Sequence, residues 1–295
     1  MAARFHKAFG ILQPYVGFTF DVSTYLKHPE LNSFNEFVQW TYTCFIDQVN
    51  PAKTPIQFVN KNPIHSLYLN ELISLDSHTK FIWMLRDYRA NVHSRKKSIH
   101  LSSTNVYYNM LRWVHFEKKI NAFVKEHPAN VLLVRYEDLV LEQKQEIKRI
   151  TDFLALTEIP NIADVLGPYQ QKFKTELDES YRNADRMQKR FGDLSKPINS
   201  QAVDQWKTGL SANEIEICDV LVGESGKQHG YVPITKLNTG KKWLIYSKAS
   251  YYGLRLRAEL IKDWIFHSLP ISWKVAYFER WVNRVNQKRQ HHVER

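Results

Sequence analysis

The side chains best suited to chemistry in this 295-residue chain are cationic and hydroxyl donors gathered between Gln57 and Ser98. Lys61 stands in Asn60-Lys61-Asn62-Pro63, while Arg86, Arg89 and Ser94, followed by Arg95, Lys96 and Lys97, stand in RDYRANVHSRKK. Guanidinium, ammonium and hydroxyl groups around one helix start are the donors that hold a tetrahedral oxyanion, phosphate or sulfate. Charge alone leaves a plainer reading open: Arg86 and Asp87 as a local ion pair, and Arg95 to Lys97 as a solvated helix face.

The elements that would position these donors alternate between strand and helix. An apolar run (Ile56, Phe58, Val59) predicts a strand that stops at the Asn60–Pro63 turn, and Leu69, Leu72 and Ile73 predict a helix after it. Phe81 to Leu85 is wholly apolar, as a parallel strand covered on both faces is, and it ends at Arg86-Asp87, where Asp87 can cap the next helix. Lys61 and Arg86 therefore fall at the carboxyl ends of strands, where open α/β sheets bind ligands. Beyond them, Val106, Met110, Trp113, Ile120 and Val124 mark the core face of a helix over Asn105–His127. Val131 to Tyr136 reads as the next buried strand, and Glu137-Asp138 turns into a helix bearing Ile147, Ile150, Phe153 and Leu154. Tyr181 to Ser200 reads as a basic loop, either over the site or merely solvated. Ser211 with Glu214 makes a capping box for a helix that buries Ile215, Cys218, Leu221 and Val222.

RDYRANVHSRKKS resembles the 3′-phosphate-binding segment of sulfotransferases that use 3′-phosphoadenosine 5′-phosphosulfate. VNKNP and LLVRYEDLV extend the likeness to the tyrosylprotein and related carbohydrate sulfotransferase-like group. The order and spacing carry it: 25 positions from Lys61 to Arg86 (86 − 61) and 8 from Arg86 to Ser94 (94 − 86). The resemblance covers Gln57 to about Tyr231, where VDQWKTGL is similar to the family's tryptophan segment. It implies a P-loop NTPase-like sulfotransferase fold, an α/β domain with a parallel sheet flanked by helices. It also implies transfer of a sulfuryl group from 3′-phosphoadenosine 5′-phosphosulfate to a hydroxyl acceptor: a carbohydrate, a protein tyrosine or a small molecule. Lys61 would be the catalytic lysine, and Arg86 and Ser94 would hold the 3′-phosphate. Tyr136 would approach the nucleotide or else pack under its loop, and Lys196, with Arg190, would belong to a loop closing on the adenine side.

The chain departs from the family at one motif. The family's glycine-containing loop, resembling GxPRSGTT, holds the 5′-phosphosulfate, yet Gly10 and Gly17 are the only glycines before Gly167 and neither opens such a pattern. The expected fold is thus N-terminally incomplete. Either the chain is a shortened sulfotransferase, or it has lost transfer and is a non-catalytic nucleotide- or anion-binding relative.

Other classes fit less well. A nucleoside kinase needs a glycine-lysine phosphate loop, which is absent. No His, Cys and Asp cluster has metal-ligand spacing, so no metal is expected. The general base is unassigned; His65 and His93 are the nearest imidazoles and read as ordinary packing residues. Cys44 and Cys218 read as buried thiols. No signal peptide or membrane span is read, so the expected location is cytoplasmic, with peripheral membrane contact. Residues 1–235 read as the sulfotransferase-like domain, with 1–55 as a helical covering segment, and 236–295 as a basic, aromatic helical extension. That extension holds thirteen Lys and Arg against four Asp and Glu, and four of the eight tryptophans. Its aromatic stripe packs on the domain or lies on an anionic membrane surface; nucleic acid ranks last, without a base-reading motif.

Overall fold

The computed structural model describes Glu36, Trp40, Thr43, and residues 59–97, 104–156, 200–270, 272–274, 276, 277 and 280. The chain divides into two compact units, one of Asn62–Pro160 with Ile198–Lys262, the other of Met1–Lys61, Asn161–Pro197 and Asp263–Arg295.

The first unit contains β1 (Phe81–Leu85) and β2 (Val131–Arg135), paired in parallel with Phe81 opposite Val131 and Leu85 opposite Arg135. Successive side chains point to opposite faces. Trp83, Leu85 and Leu133 join the main core on one face. On the other face Val134 is fully buried, but Ile82 and Met84 are 37% and 49% exposed. The sequence leads one to expect β1 covered on both sides; among the described residues Tyr136–Leu141 and Gln143–Leu154 pack on β2, and Ile82 and Met84 of β1 stay partly exposed.

Along the chain, Asn62 opens a 3-10 helix, Pro63–Leu67, its side chain accepting from the Ile64 N–H at 3.2 Å. Helix α1 (Leu69–Leu75) follows. Val59 belongs to no strand and is 84% exposed, which removes it from the predicted first strand; Ile56 to Phe58 lie outside the described residues. Helix α2 (Tyr88–Lys97) is capped by Asp87, whose Oδ1 accepts from the Arg89 N–H at 2.8 Å. Asn105 caps α3 (Val106–Glu126). Tyr136 opens α4 (Tyr136–Leu141) rather than ending β2, and α5 (Gln143–Leu154) closes on Ala155, whose φ of 54° is left-handed. After a 3-10 turn, Ser200–Val203, come α6 (Trp206–Gly209), α7 (Ala212–Lys227) and α8 (Thr239–Ser268). The Ser211–Glu214 capping box at α7 forms as its spacing predicts.

Tyr88, Val92, Met110, Trp206, Ile217, Cys218 and Val222 form the buried core with Leu85. Each such apolar side chain contributes roughly 1.5–3 kcal/mol relative to exposure. Burial pushes the Cys218 thiol up, so it stays a neutral core residue; Cys44 lies outside the described residues.

In the second unit Glu36, Trp40 and Thr43 are helical, and the Phe266 and Tyr277 rings meet edge-on at 5.5 Å. Among the described residues no helix is long and apolar enough to cross a membrane.

Candidate functional site

The register of the two strands creates the site. Leu85 pairs with Arg135, so the residues just beyond, Arg86 and Tyr136, leave the sheet side by side. The Arg86 guanidinium lies over the Tyr136 ring, 4.2 Å from its centroid. Its Nη2 donates to the Ala202 carbonyl at 2.8 Å. Its Nε is buried and has no hydrogen-bond partner among the described residues. The aromatic face and one carbonyl fix the plane of the guanidinium, and other donors are left unspent, which is the condition for taking up an anion.

The next residues form a second rung, and this one faces inward. Glu137 Oε1 accepts from the Asp87 N–H at 3.0 Å, and its Oε2 accepts from the Tyr231 hydroxyl at 2.7 Å. Asp87 in turn holds Arg89 by two bonds, from Nε at 3.0 Å and Nη2 at 2.8 Å. Arg89 Nη1 reaches Asp219 at 3.4 Å and the Val232 carbonyl at 3.2 Å, and its guanidinium stacks on Trp206 at 4.2 Å. Asp219 also accepts from the Tyr88 hydroxyl at 2.7 Å and from the Ile234 and Thr235 N–H groups. Burial opposes the Arg89 charge, but the bonded Asp87 carboxylate outweighs it and leaves the group more basic than usual. Burial first, then the neighbouring carboxylates, push the Tyr88 and Tyr231 hydroxyls up.

This network corrects two readings of the sequence. Asp87 pairs with Arg89, not with Arg86, and Arg89, only 3% exposed and fully engaged, is a structural cation rather than an anion donor. The reason is spacing: a capping aspartate faces the residue two positions into the helix.

The following basic run is divided in the same way. Arg95 Nε donates to Asn109 at 2.8 Å, and burial, then Arg112, lower its pKa. Lys96 pairs with Glu214. Lys97 Nζ lies 3.5 Å from Gln205 Oε1. Ser94 presents an exposed hydroxyl on α2, one turn before Lys97. His93 is buried, with Gly209 so close that a Cβ there would sit 2.1 Å from its Nε2. Burial, then Lys97 and Arg86, lower the His93 pKa, so it packs as the neutral imidazole. His65 is half-buried within the first 3-10 helix, where its carbonyl accepts from the Tyr68 N–H at 2.9 Å.

Of the residues named from sequence, the structure thus brings Arg86 and Tyr136 into contact and puts Ser94 on the helix that follows Arg86. Lys61 is exposed in the extended segment before the 3-10 helix. Lys196 and Arg190 lie outside the described residues. Sequence reasoning missed Ala202 as the second anchor of Arg86, and Glu137 and Asp219 as the carboxylates behind the site. Asp219 carried a signal, since it interrupts the apolar face of α7 between Cys218 and Val220. Ala202 acts through its backbone and carried none. Among the described residues no group of three His, Cys, Asp or Glu side chains could hold a metal ion.

Residues 24–160 match the model of the Sulfotransferase family, a span that includes Lys61, Arg86, Ser94 and Tyr136. A Caenorhabditis briggsae protein named "Putative protein-tyrosine sulfotransferase" is 35% identical over 164 residues, 54% of this chain and 55% of its own length. A Caenorhabditis elegans protein of the same name is 29% identical over 153 residues, 50% of this chain and 55% of its own. The chain spans about half the length of the curated relatives it matches. Residues 24–160, which include Arg86, Asp87, Tyr136 and Glu137 at the strand ends, are thus similar to the sulfotransferase family.

Proposed function

We propose that this chain binds 3′-phosphoadenosine 5′-phosphosulfate through Arg86 and transfers its sulfuryl group to a hydroxyl acceptor, a protein tyrosine. The observation that carries the reading is the Arg86 guanidinium, held flat between Tyr136 and Ala202 with a buried Nε left unpaired. A planar cation fixed in this way suits a 3′-phosphate, because its donors are oriented before the ligand arrives. Ser94 adds a hydroxyl from the following helix. Lys61 neutralises charge on the transferring group, the role expected for the lysine of VNKNP. The acceptor class comes from the names of the two relatives. The nucleotide supplies the activated sulfuryl group; the chain supplies charge and orientation, as phosphoryl-transfer sites do.

Titration calorimetry of the full chain with adenosine 3′,5′-bisphosphate and with adenosine 5′-monophosphate tests the site. The bisphosphate binds more tightly, and Arg86→Ala weakens it by roughly 10- to 150-fold, the worth of a hydrogen bond to a charged group. Equal affinity for the two nucleotides, or an unchanged Arg86→Ala, overturns the assignment. Incubation with 3′-phosphoadenosine 5′-phosphosulfate and a tyrosine peptide then reads transfer. Binding without transfer makes the chain a nucleotide-binding relative rather than an enzyme.

A further inference from the structure

Helix α8 is amphipathic twice over, and among the described residues only one of its two apolar faces is packed. Its inner face is anchored: Ile245, Ala249 and Leu256 are buried, Tyr252 stacks on Tyr107 at 5.4 Å, and Asn105 donates to the Tyr252 hydroxyl at 3.0 Å. The Tyr108 hydroxyl donates to Glu259. At 100° per residue these positions share an arc of about 80°, and Trp243, Tyr251, Leu254 and Ile261 share a second arc of about 80° on the opposite side. The outer four are 70%, 67%, 65% and 57% exposed. Because the inner face already holds the helix in place, the outer stripe is surplus to the fold.

We propose that this outer stripe of α8 lies on an anionic lipid bilayer surface. Between Thr239 and Lys262 the helix carries six Lys and Arg and a single acid, Glu259. Glu259 is turned to Tyr108 and Arg255. The rim is therefore uniformly positive: Lys248 and Lys262 flank the stripe on one side and Arg257 on the other, all exposed. Cations beside an aromatic and aliphatic wedge complement a bilayer with acidic headgroups, which offers negative charge over an apolar interior. Trp243 and Tyr251 are the side chains that settle at such an interface. No described helix is apolar enough to cross a membrane, so the helix lies along the surface. The inference is independent of Arg86 and of sulfuryl transfer.

Co-sedimentation of the full chain with vesicles of phosphatidylcholine, with and without phosphatidylserine, tests it. The chain binds the phosphatidylserine vesicles, releases them as salt is raised, and leaves pure phosphatidylcholine in solution. Leu254→Ser/Ile261→Ser abolishes binding. Lys248→Gln/Arg257→Gln/Lys262→Gln weakens it roughly a hundredfold, about fivefold for each cation. All variants keep the wild-type thermal melt, since the substituted side chains face outward. Binding that ignores these substitutions, or no binding to either vesicle, overturns the proposal. A concentration-dependent dimer lost in Leu254→Ser/Ile261→Ser would assign the stripe to a second copy of the chain instead.

Discussion

Glu137→Ala is the sharpest perturbation of the frame behind the site. Glu137 is buried, and its two oxygens accept from the Asp87 N–H and the Tyr231 hydroxyl. Truncation leaves both donors without an acceptor inside the protein. At roughly 1–3 kcal/mol for each stranded polar group, the loss is about 2–6 kcal/mol. For a cooperative unit of this size, a mid-range 3 kcal/mol corresponds to a melting point lower by about 6–12 °C. Urea unfolding, followed by circular dichroism, measures the change directly. Tyr231→Phe makes the test specific. In the wild-type background it strips Glu137 Oε2 of its donor and destabilises. In Glu137→Ala it removes a stranded hydroxyl and recovers about 1–2 kcal/mol. If Tyr231→Phe costs the same in both backgrounds, the two groups are not coupled and the inward rung is not a clamp.

Three further outcomes follow from the same geometry. Tyr136→Leu removes the face under Arg86 and weakens adenosine 3′,5′-bisphosphate by roughly 2- to 30-fold, the range of a cation–π contact, whereas Tyr136→Phe keeps the ring and binds as wild type; calorimetry separates the two. Gly209→Ala forces a methyl group into the His93 ring and lowers stability by about 1–3 kcal/mol in urea unfolding, as overpacking does; an unchanged midpoint would refute the contact. The His93 and His115 pKa values are both lowered, by burial first and by neighbouring cations second. The unfolded chain therefore takes up protons that the folded chain refuses. The stability these histidines contribute is complete above the unfolded value of about 6.5 and is lost as pH falls below it toward the folded values. Urea midpoints measured across that window fall with pH, and His93→Gln/His115→Gln flattens the slope.

The sequence reveals elements whose apolar period is unbroken. Phe81 to Leu85 and Val131 to Arg135 are legible as strands, and their parallel pairing follows from the helices between them. The α7 capping box is legible because both of its bonds are local, as is Asp87 at the start of α2. What is not legible is partnership at long range. Whether Arg86 or Arg89 is the open cation depends on Ala202, Asp219 and Val232, which lie 116 to 143 positions away along the chain. Two arginines three residues apart look alike as letters; burial beside Asp87 distinguishes them. The exposed face of β1 has the same origin, since apolar composition says a residue can be buried and not whether a helix arrives to cover it.

The site is built as a continuation of the sheet by side chains. Past Leu85 and Arg135 the backbones diverge into α2 and α4, so the strands can no longer hydrogen-bond to one another. Arg86 on Tyr136, and Glu137 on the Asp87 N–H, carry the register one and two steps further. The two steps divide the labour. The inner one is saturated by Tyr231, Asp87 and Arg89, so it fixes geometry and has nothing left to offer a ligand. The outer one is deliberately under-saturated, with one carbonyl and one aromatic face for a group with five donors. A cation placed at a strand end without the inner rung would swing with its loop and lose its aim. With that rung in place, the position of Arg86 is set by the same hydrogen-bonded register that folds the domain.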